Sequence, residues 1–370
     1  MKAGKNRENF LSSWWWTVDR YLISGIMVLI TIGFMLVMAA SPTVAERIGL
    51  GYYHFVQKQF LYILMGIFIM VFISLFSPIT TRRLSILGFF IFFMLLIAVD
   101  VAGFETKGAK RWIHLAGMSI QPSEILKPFF AIFTAWILTR KNSDDKFPGF
   151  TIAIITFGLI AILLFRQPNL SMAATIGVIW LTQMFIGGLN IIIIVVLGIS
   201  GIMGLFGAYY YLPYVQHRIN TFLNSAEAGG DNYQTQKSLE AFQNGGVFGT
   251  GAGQGVIKQI IPDAHTDFIF SVAGEEFGLL FCLGIITLYG FITFRCLYRA
   301  YHEKDLFITL AITGLTMQLF FQALVNMGVA TNLMPNTGMT LPFVSYGGSS
   351  ILSVSIVVGM ILSLTRKKFG

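Results

Sequence analysis

The chain has 370 residues, of which 55% are apolar and only 11% are charged, with a formal net charge of +8. A typical soluble domain carries about 25% charged residues, so this composition excludes a water-soluble globule, and the high apolar content excludes a disordered chain. With only 2 cysteines, a disulfide framework is excluded as well. The sequence therefore predicts a protein embedded in lipid, where each remaining charge needs a reason because ionisable groups are costly at bilayer depth.

Ten apolar segments are candidates for membrane spans, since a helix needs about 20 apolar residues to cross a bilayer. They lie near residues 21–40, 60–78, 86–103, 124–139, 149–165, 171–187, 189–211, 268–294, 306–328 and 350–365. Because lipid offers no partner to unpaired backbone groups, we expect an all-α integral membrane protein with about ten transmembrane helices. Residues 1–20 then form a cytoplasmic or interfacial segment, 21–365 a single polytopic domain and 366–370 a cytoplasmic tail. The first span is expected to be retained, because its apolar core is longer than that of a signal peptide.

The distribution of basic residues sets the expected orientation. Fifteen of the 25 basic residues fall on the side of the N-terminus, against six acids, so both termini are expected in the cytoplasm. Membrane topology thus accounts for the positive charge, and no nucleic-acid partner is needed to explain it. The outer side carries a large polar loop at 212–266, between the seventh and eighth spans, and shorter polar loops near 41–59, 104–123 and 329–349. We therefore expect function on the outer face.

Asp267 is the first candidate residue, because it stands where the large outer loop enters the eighth span. Partial desolvation at such a boundary makes a carboxylate a better proton acceptor, as a general base requires. A helix-capping role for Thr266 or Asp267 would explain the same position equally well.

Glu124 and Lys127 are three residues apart at the start of the fourth span, so they can form an ion pair on one helix face. That pair would explain both residues without a function. Alternatively, Lys127 reaches an anion or an acid on another helix while Glu124 holds it in place.

Basic residues also occur on the outer face, against the general tendency, at Lys107, Lys110 and Arg111. Such a cluster suits a diphosphate, because Lys and Arg supply charge-assisted donors to phosphate oxygens. Trp112 follows them and can equally be an anchor at the membrane interface. Glu275 and Glu276, inside the eighth span, should face a polar cavity or pair with bases.

The irregular outer stretch 335–350 is expected to line a cavity, because lipid-exposed backbone of this kind is not tolerated. The glycine-rich run 249–255 does not have the spacing of a phosphate-binding loop. Residue chemistry alone leaves two classes open, namely an enzyme acting on a lipid-linked phosphate and a transporter.

Several motifs recur in the order found in a known family. Residues 107–112, 121–124 with Lys127, 262–268, 274–278 and 341–350 resemble signatures of the SEDS family, named for shape, elongation, division and sporulation. The resemblance extends from about Trp14 to Arg366. Residues 14–20, 40–42 and 231–242 are more similar to the division members of proteobacteria than to the elongation members, which are the nearest alternative.

The resemblance implies a peptidoglycan glycosyltransferase that polymerises lipid II on the outer face of a bacterial inner membrane, at the septum. It also implies a class B penicillin-binding protein and other divisome proteins as partners. The essential loop aspartate of the family falls on Asp267, and its fourth-span Glu and Lys fall on Glu124 and Lys127. Asn169 departs from the pattern, because relatives often carry Asp at this position.

Our hypothesis is that Asp267 acts as general base, with Glu124 and Lys127 completing the catalytic set. Lys107, Lys110 and Arg111 would neutralise the departing diphosphate, and the remaining expected substrate contacts are Trp112, His265, Thr266, Ser345, Tyr346 and Ser349. No cofactor is required by the sequence, although Mg²⁺ or Mn²⁺ could assist the diphosphate, and no metal-ligand spacing is present. A lipid II flippase and a structural scaffold are the rival functions; the lack of a clear internal repeat disfavours a transporter.

Overall fold

Long apolar helices dominate the computed structural model, which describes residues 10–106, 109–115, 118–223 and 231–366. The helices are α1 (Phe10–Thr17), α2 (Arg20–Arg47), α3 (His54–Ser74), α4 (Pro78–Ala102), α5 (Pro122–Ser143), α6 (Gly149–Arg166), α7 (Leu170–Ile186), α8 (Ile191–Tyr211), α9 (Pro213–Leu223), α10 (Asp231–Gly245), α11 (Ile269–Tyr301), α12 (Leu306–Ala330) and α13 (Gly348–Leu364).

Each predicted span coincides with one of these helices, which confirms the predicted fold class. Among the described residues, 7 helices are long and apolar enough to cross a membrane, namely α2, α3, α4, α6, α8, α11 and α12. Helices α7 and α13 are apolar but shorter, and α5 carries charged residues near both ends. The count of ten spans therefore stays a prediction.

The outer connections contain more regular structure than the sequence indicates. Three short strands, β1 (Phe104–Thr106), β2 (Ala109–Leu115) and β3 (Met118–Ile120), form an antiparallel sheet in the order β1-β2-β3. The predicted loop 212–266 contains α9, α10 and a 3-10 turn at Ile257–Gln259. The first span also continues beyond residue 40, because Ser41 and Pro42 are buried inside α2 rather than exposed in a loop. We call the end of the bundle that carries these connections the outer end.

Helix α11 is broken at Gly278, whose φ of 79° and ψ of −175° are non-helical. The backbone of the glycine-rich segment 246–251 fills the break. The Leu279 N–H donates to the Gly246 carbonyl at 3.0 Å, and the Thr250 N–H donates to the Glu275 carbonyl at 2.9 Å. Helix kinks commonly arise where other groups enter the hydrogen-bond ladder. The first part of α11, 269–277, is therefore tied to the outer segment 246–251.

The helices differ widely in how far the bundle covers them. In α12, 72% of the most apolar window is buried, whereas in α8 only 6% is buried. Helices α5, α12 and α13 pack against one another at the centre, and α8 contacts mainly α7 and α9. These central helices carry many buried polar side chains, among them Glu124, Lys127 and Gln322.

The opposite end of the bundle is held by a charged group that we call the cytoplasmic cluster, made of Asp19, Arg295 and Arg299. Asp19 caps α2 and accepts from the Leu22 N–H, while its Oδ2 accepts from Arg295 Nε at 2.8 Å and Arg299 Nε at 2.9 Å. Desolvation would raise the pKa of Asp19, but the hydrogen bonds from Arg295 and Arg299 outweigh it and lower the pKa below 3.8. The cluster therefore links the start of α2 to the end of α11.

Candidate active site

A polar cavity of about 640 Å³ opens at the outer end of the bundle. Strand β2, helices α3, α5, α7, α9 and α10, the segment before α11 and the segment between α12 and α13 all contribute to its wall. Seven of the residues predicted from sequence line it, namely Arg111, Trp112, Glu124, Thr266, Asp267, Tyr346 and Ser349. The fold thus brings together candidates that are more than 200 residues apart in the chain.

Asp267 lies in the cavity wall with its backbone fixed from α12. Its carbonyl accepts from Asn326 Nδ2 at 2.9 Å, and Asn326 also donates to the Met339 carbonyl at 2.6 Å. Gly338 adopts a φ of 69°, and a Cβ there would lie 3.8 Å from Asp267 Oδ2, so this turn passes beside the carboxylate. The residue that caps α11 is Phe268, which excludes the alternative that Thr266 or Asp267 is the N-cap.

Glu124 and Lys127 form the expected ion pair, with Lys127 Nζ 2.8 Å from Glu124 Oε2. Lys127 is fully buried and also donates to Gln322 Oε1 on α12 at 3.3 Å. Gln322 Nε2 in turn donates to the Thr340 carbonyl at 3.1 Å and Ser350 Oγ at 3.2 Å. The ion-pair alternative therefore holds, whereas the partner of Lys127 on another helix is the amide of Gln322 and not an anion or an acid. Glu124 lines the cavity and Lys127 lies beneath it.

The two predicted serines form hydrogen bonds mainly with backbone groups. Ser349 lines the cavity, and its hydroxyl accepts from the Gln121 N–H at 3.1 Å and donates to the Ser119 carbonyl at 3.0 Å. Ser345 is buried, and its hydroxyl donates to the Thr266 carbonyl at 2.5 Å. The structure therefore places Ser345 behind the wall, where it connects the two segments that flank the site.

His265 is also behind the wall rather than in the cavity. Its ring packs against Phe55 at 4.5 Å and Tyr346 at 5.2 Å between centroids, and the residue is 4% exposed. Desolvation lowers the pKa of His265 to about 4, against a weaker opposing effect of Asp263. The imidazole is therefore neutral at pH 7 and supports Tyr346, which does line the cavity.

The three predicted bases are placed differently. Arg111 is half-buried and lines the cavity, where its Nε donates to the Gln167 carbonyl at 2.8 Å and its Nη2 to the Pro168 carbonyl. Lys110 is exposed on the same strand and is not part of the cavity wall. Lys107 lies outside the described residues.

The cavity also contains residues that the sequence analysis did not select. The charged ones are Lys58, Arg218 and Asp263, and the uncharged ones include Tyr62, Asn169, Ser171, Gln234, Asn336 and Thr340. Lys58 and Arg218 carried a usable signal, because both are basic residues of predicted outer loops, as Arg111 is. Asn169 is buried in the wall, so the departure from the family pattern lies inside the site.

Neither Glu275 nor Glu276 lines the cavity, and of the two only Glu276 pairs with a base as expected. Glu276 binds Lys258 Nζ. The Glu275 carboxylate accepts backbone N–H groups of Val256, Ile257 and Lys258 at 2.7 to 2.8 Å. These two acids hold the 3-10 turn against α11 and have no contact role in the cavity.

The chemistry available in the cavity follows from its charged and aromatic groups. Asp267 offers a carboxylate for proton transfer on a backbone held by Asn326, and Lys58, Arg111 and Arg218 offer positive charge for an anion. Tyr62, Trp112 and Tyr346 provide aromatic surfaces for a sugar ring. Among the residues that the structure describes, no group of three or more metal-ligating side chains is found.

A family model described as "Cell cycle protein" (FtsW, RodA and SpoVE) matches residues 20–369. The chain is 37% identical over 361 residues to the "Probable peptidoglycan glycosyltransferase FtsW" of Caulobacter vibrioides, covering 97% of this chain and 92% of that protein. It is 31% identical over 363 residues to the protein of the same name in Geobacter sulfurreducens, covering 95% and 97% respectively.

Two solved structures share the fold. One chain of the solved structure described as "Structural coordination of polymerization and crosslinking by a peptidoglycan synthase complex" superposes on this chain with a TM-score of 0.79. The sequence identity is 25%, and the match covers 94% of this chain and 97% of that one. The rod shape determining protein RodA of Thermus thermophilus superposes with a TM-score of 0.70 at 24% identity, covering 95% and 97%, and supports the fold alone.

Proposed function

This chain belongs to the FtsW, RodA and SpoVE family of cell cycle proteins, the SEDS family that its motifs resemble, and we propose that it is a peptidoglycan glycosyltransferase of the FtsW type. Its relatives in C. vibrioides and G. sulfurreducens carry that activity in their names. The chain is a multi-pass membrane protein, and its septal location is part of the proposal. The substrate that we propose is lipid II, polymerised into β-1,4 glycan strands.

One observation carries the proposal, namely the cavity that unites Asp267 with Glu124, Arg111 and Trp112. These residues come from three separate parts of the chain, and all three belong to the motifs on which the family resemblance rests. A structural scaffold would not need a polar cavity of about 640 Å³ at this place. Burying charged groups without a ligand is costly, so the arrangement supports a binding and catalytic role.

In the proposed reaction, Asp267 accepts the proton of the acceptor 4-hydroxyl as that oxygen attacks the anomeric carbon of the donor. The bond from that carbon to the diphosphate oxygen breaks, and its electron pair leaves with the lipid diphosphate. Attack opposite the leaving group converts an α linkage into a β linkage. Glu124, held by Lys127, shapes the cavity wall beside Asp267, so Lys127 acts as a positioning residue.

A transpeptidase partner is part of the proposal. One structural relative is a chain of a synthase complex that coordinates polymerisation with crosslinking. A class B penicillin-binding protein would supply the crosslinking reaction to this chain, together with further divisome proteins.

A divalent cation fits the described residues only if the phosphates of the substrate supply some of its ligands. Asp263 and Asp267 both line the cavity, but no third metal-ligating side chain joins them in the described part of the chain. Mg²⁺ is commonly bound through one or two carboxylates together with substrate phosphates. When bound in this way it would screen the diphosphate charge, and the steps above are assigned to protein side chains alone.

The test is lipid II polymerisation by the purified protein with its transpeptidase partner, comparing the wild type with Asp267→Ala. We expect a loss of about 10²–10⁴-fold in rate, the usual contribution of a general base. Thr331→Ala is the matched control, because Thr331 is a polar residue of the outer end that does not line the cavity. A comparable rate for Asp267→Ala would exclude the general-base role.

Leaflet-to-leaflet movement of lipid II in vesicles distinguishes the flippase alternative. If the wild type forms no glycan with its partner but moves lipid II, the polymerase function is wrong and the flippase function replaces it.

A further inference from the structure

The backbone around Asp267 is held by three hydrogen bonds from distant parts of the chain. The carbonyls of residues 265–267, which we call the base segment, each accept one bond from a donor 59 or more positions away. The bonds run from the Tyr346 N–H to the His265 carbonyl at 2.8 Å, from the Ser345 hydroxyl to the Thr266 carbonyl at 2.5 Å and from Asn326 Nδ2 to the Asp267 carbonyl at 2.9 Å. The base segment is therefore not fixed by α11 alone.

Two of these donors belong to one segment, residues 339–346, which we call the strap. The hydroxyl of Ser345 also accepts from the Leu341 N–H at 2.8 Å, so it closes a turn within the strap while it binds the base segment. The third donor, Asn326, joins the two segments, because its Nδ2 also donates to the Met339 carbonyl at 2.6 Å. Ser345 and Asn326 are both buried, and neither lines the cavity.

The strap is itself held from three other helices. The Tyr289 hydroxyl of α11 donates to the Pro342 carbonyl at 2.5 Å, and Gln59 Nε2 of α3 donates to the Ser345 carbonyl at 3.3 Å. Helix α2 lies against the strap at Gly33, where a Cβ would overlap a backbone carbonyl oxygen of the strap. The strap therefore transmits the positions of several membrane helices to the base segment.

Phe343, within the strap, adopts a strained backbone conformation. Its φ is 62°, and its side chain is buried. A bulky residue rarely adopts the left-handed region, and such strain persists only where the surrounding structure over-determines it. Strained residues of this kind are concentrated at functional sites, which suggests a role for the exact position of the strap.

Ser345 and Asn326 act on the two peptide planes that meet at Asp267. The Thr266 carbonyl lies in the plane before the Asp267 Cα, and the Asp267 carbonyl lies in the plane after it. Because each peptide unit is planar, fixing both planes fixes the φ and ψ of Asp267 and hence the direction of its Cα–Cβ bond.

We propose that Ser345 and Asn326 are positioning residues, which direct the carboxylate of Asp267 toward the hydroxyl that it deprotonates. This assignment rests on the proposed function and deepens it. A general base must lie within hydrogen-bond reach of the proton that it accepts, and a displacement of about 1 Å can cost about 100-fold in rate. Ser345 thus acts through Asp267 and not on the substrate.

The test is the kinetics of lipid II polymerisation by purified Ser345→Ala with the transpeptidase partner. We expect kcat to fall by about 10-fold to 100-fold while KM stays near that of the wild type, because the cavity wall keeps its side chains. The acidic limb of the pH–rate profile should flatten, since the remaining turnover depends less on proton transfer to Asp267. Asn326→Leu, which is similar in size and cannot donate, should behave in the same way.

Ser363→Ala is the matched control. Ser363 is a buried serine whose hydroxyl also donates to a backbone carbonyl, that of Phe76 at 3.0 Å, but it lies at the opposite end of the bundle. Its melting temperature should fall about as much as that of Ser345→Ala, with kcat, KM and the pH–rate profile unchanged. Ser345→Thr keeps the hydroxyl and should retain most of the kcat.

Hydrogen exchange in detergent separates this assignment from the polymerase function. Peptides that cover 262–268 should exchange faster in Ser345→Ala than in the wild type or Ser363→Ala. Unchanged exchange would overturn the assignment, and so would faster exchange in a variant that keeps the kcat and the pH–rate profile of the wild type. If exchange is faster but the wild type forms no glycan, Ser345 still holds Asp267 and the polymerase function falls.

Discussion

The two ends of the bundle differ in whether their arginine side chains form ion pairs with carboxylates. In the cytoplasmic cluster, Arg295 and Arg299 share the carboxylate of Asp19 at 2.8 and 2.9 Å. In the outer cavity, Arg111 and Arg218 lie together, and no carboxylate of the described residues pairs with either of them. Among the ion pairs of the described residues, the first group thus includes a carboxylate partner and the second does not.

The difference separates charges that hold the fold from charges that serve a ligand. A buried charged group is normally satisfied within the protein, as Asp19 is, because leaving it unpaired costs several kcal/mol. An incomplete set in a cavity is therefore informative about what the cavity binds. The same distinction applies beneath the cavity, where Lys127 pairs with Glu124, whereas no described carboxylate forms an ion pair with the arginines above it.

Breaking the complete pair beneath the cavity should have the largest effect on stability. Lys127→Met removes the partner of buried Glu124 and should reduce the free energy of unfolding by about 3–5 kcal/mol, because an unpaired buried charge remains. Thermal unfolding in detergent measures this loss.

The double variant Glu124→Gln with Lys127→Met is the control, since it leaves no buried charge. It should regain most of the melting temperature but little of the polymerisation rate. If Lys127→Met unfolds at the same temperature as the wild type, Lys127 does not stabilise the fold through its ion pair with Glu124.

Asp19→Asn should break the cytoplasmic cluster, with a loss of about 1.5–3 kcal/mol from the charged hydrogen bonds. The polymerisation rate per folded molecule should not change, because the cluster is at the end opposite the cavity. The folded pKa of Asp19 is below 3.8, so its contribution is complete above that pH and is lost as the pH falls through the folded pKa.

The melting difference between wild type and Asp19→Asn should consequently be constant from pH 7 to pH 5. A difference that shrinks in this range would show that Asp19 is not held by its two arginines.

The effect of His265 on stability should be smaller, and it can be tested through the pH dependence of unfolding, because this side chain is buried behind the cavity wall. Its pKa is lowered from 6.5 to about 4, so the unfolded chain binds a proton in this range and the folded chain does not. The stability that neutral His265 contributes is complete above pH 6.5 and declines as the pH falls toward 4, by about 2 kcal/mol between pH 7 and pH 5.

His265→Phe keeps an aromatic ring beside Phe55 and cannot be protonated, so it should lack this pH-dependent part of the melting curve. Identical pH dependence in wild type and His265→Phe would mean that water reaches the imidazole.

Lys110→Ala should have the smallest effect and compares two neighbours on one strand. Lys110 is exposed and outside the cavity wall, so its removal should change the free energy of unfolding by less than about 0.5 kcal/mol. The polymerisation rate should fall much less than in Arg111→Ala. Equal losses in the two variants would instead support the role that the sequence assigns to Lys110.

The fold was largely predictable because lipid restricts the chain to helices whose length and hydropathy are visible in the sequence. Asp267, Glu124 and Arg111 could be found because each is a charge in an unusual place. The resemblance to the family motifs then indicated that these residues belong to one site.

Other features depend on contacts between distant segments, so the local sequence shows at most that a residue is a candidate. Arg218 reaches the cavity only because α9 folds back inside a polar stretch whose hydropathy indicates a loop. His265 and Ser345 were assigned to the substrate, but the fold turns them behind the wall. The break at Gly278 follows Glu275 and Glu276 closely, but the sequence does not show that the groups filling it come from 246–251.

The break in α11 also has a mechanical consequence. An unbroken helix of 33 residues would transmit any tilt or axial shift along its whole length, including the changes that follow from bilayer thickness. The outer segment 246–251 is hydrogen-bonded to both sides of the break, to Glu275 before it and to Leu279 after it. A shift of the lipid-facing part of α11 would therefore act on this segment as well as on the part of the helix that begins beside Asp267.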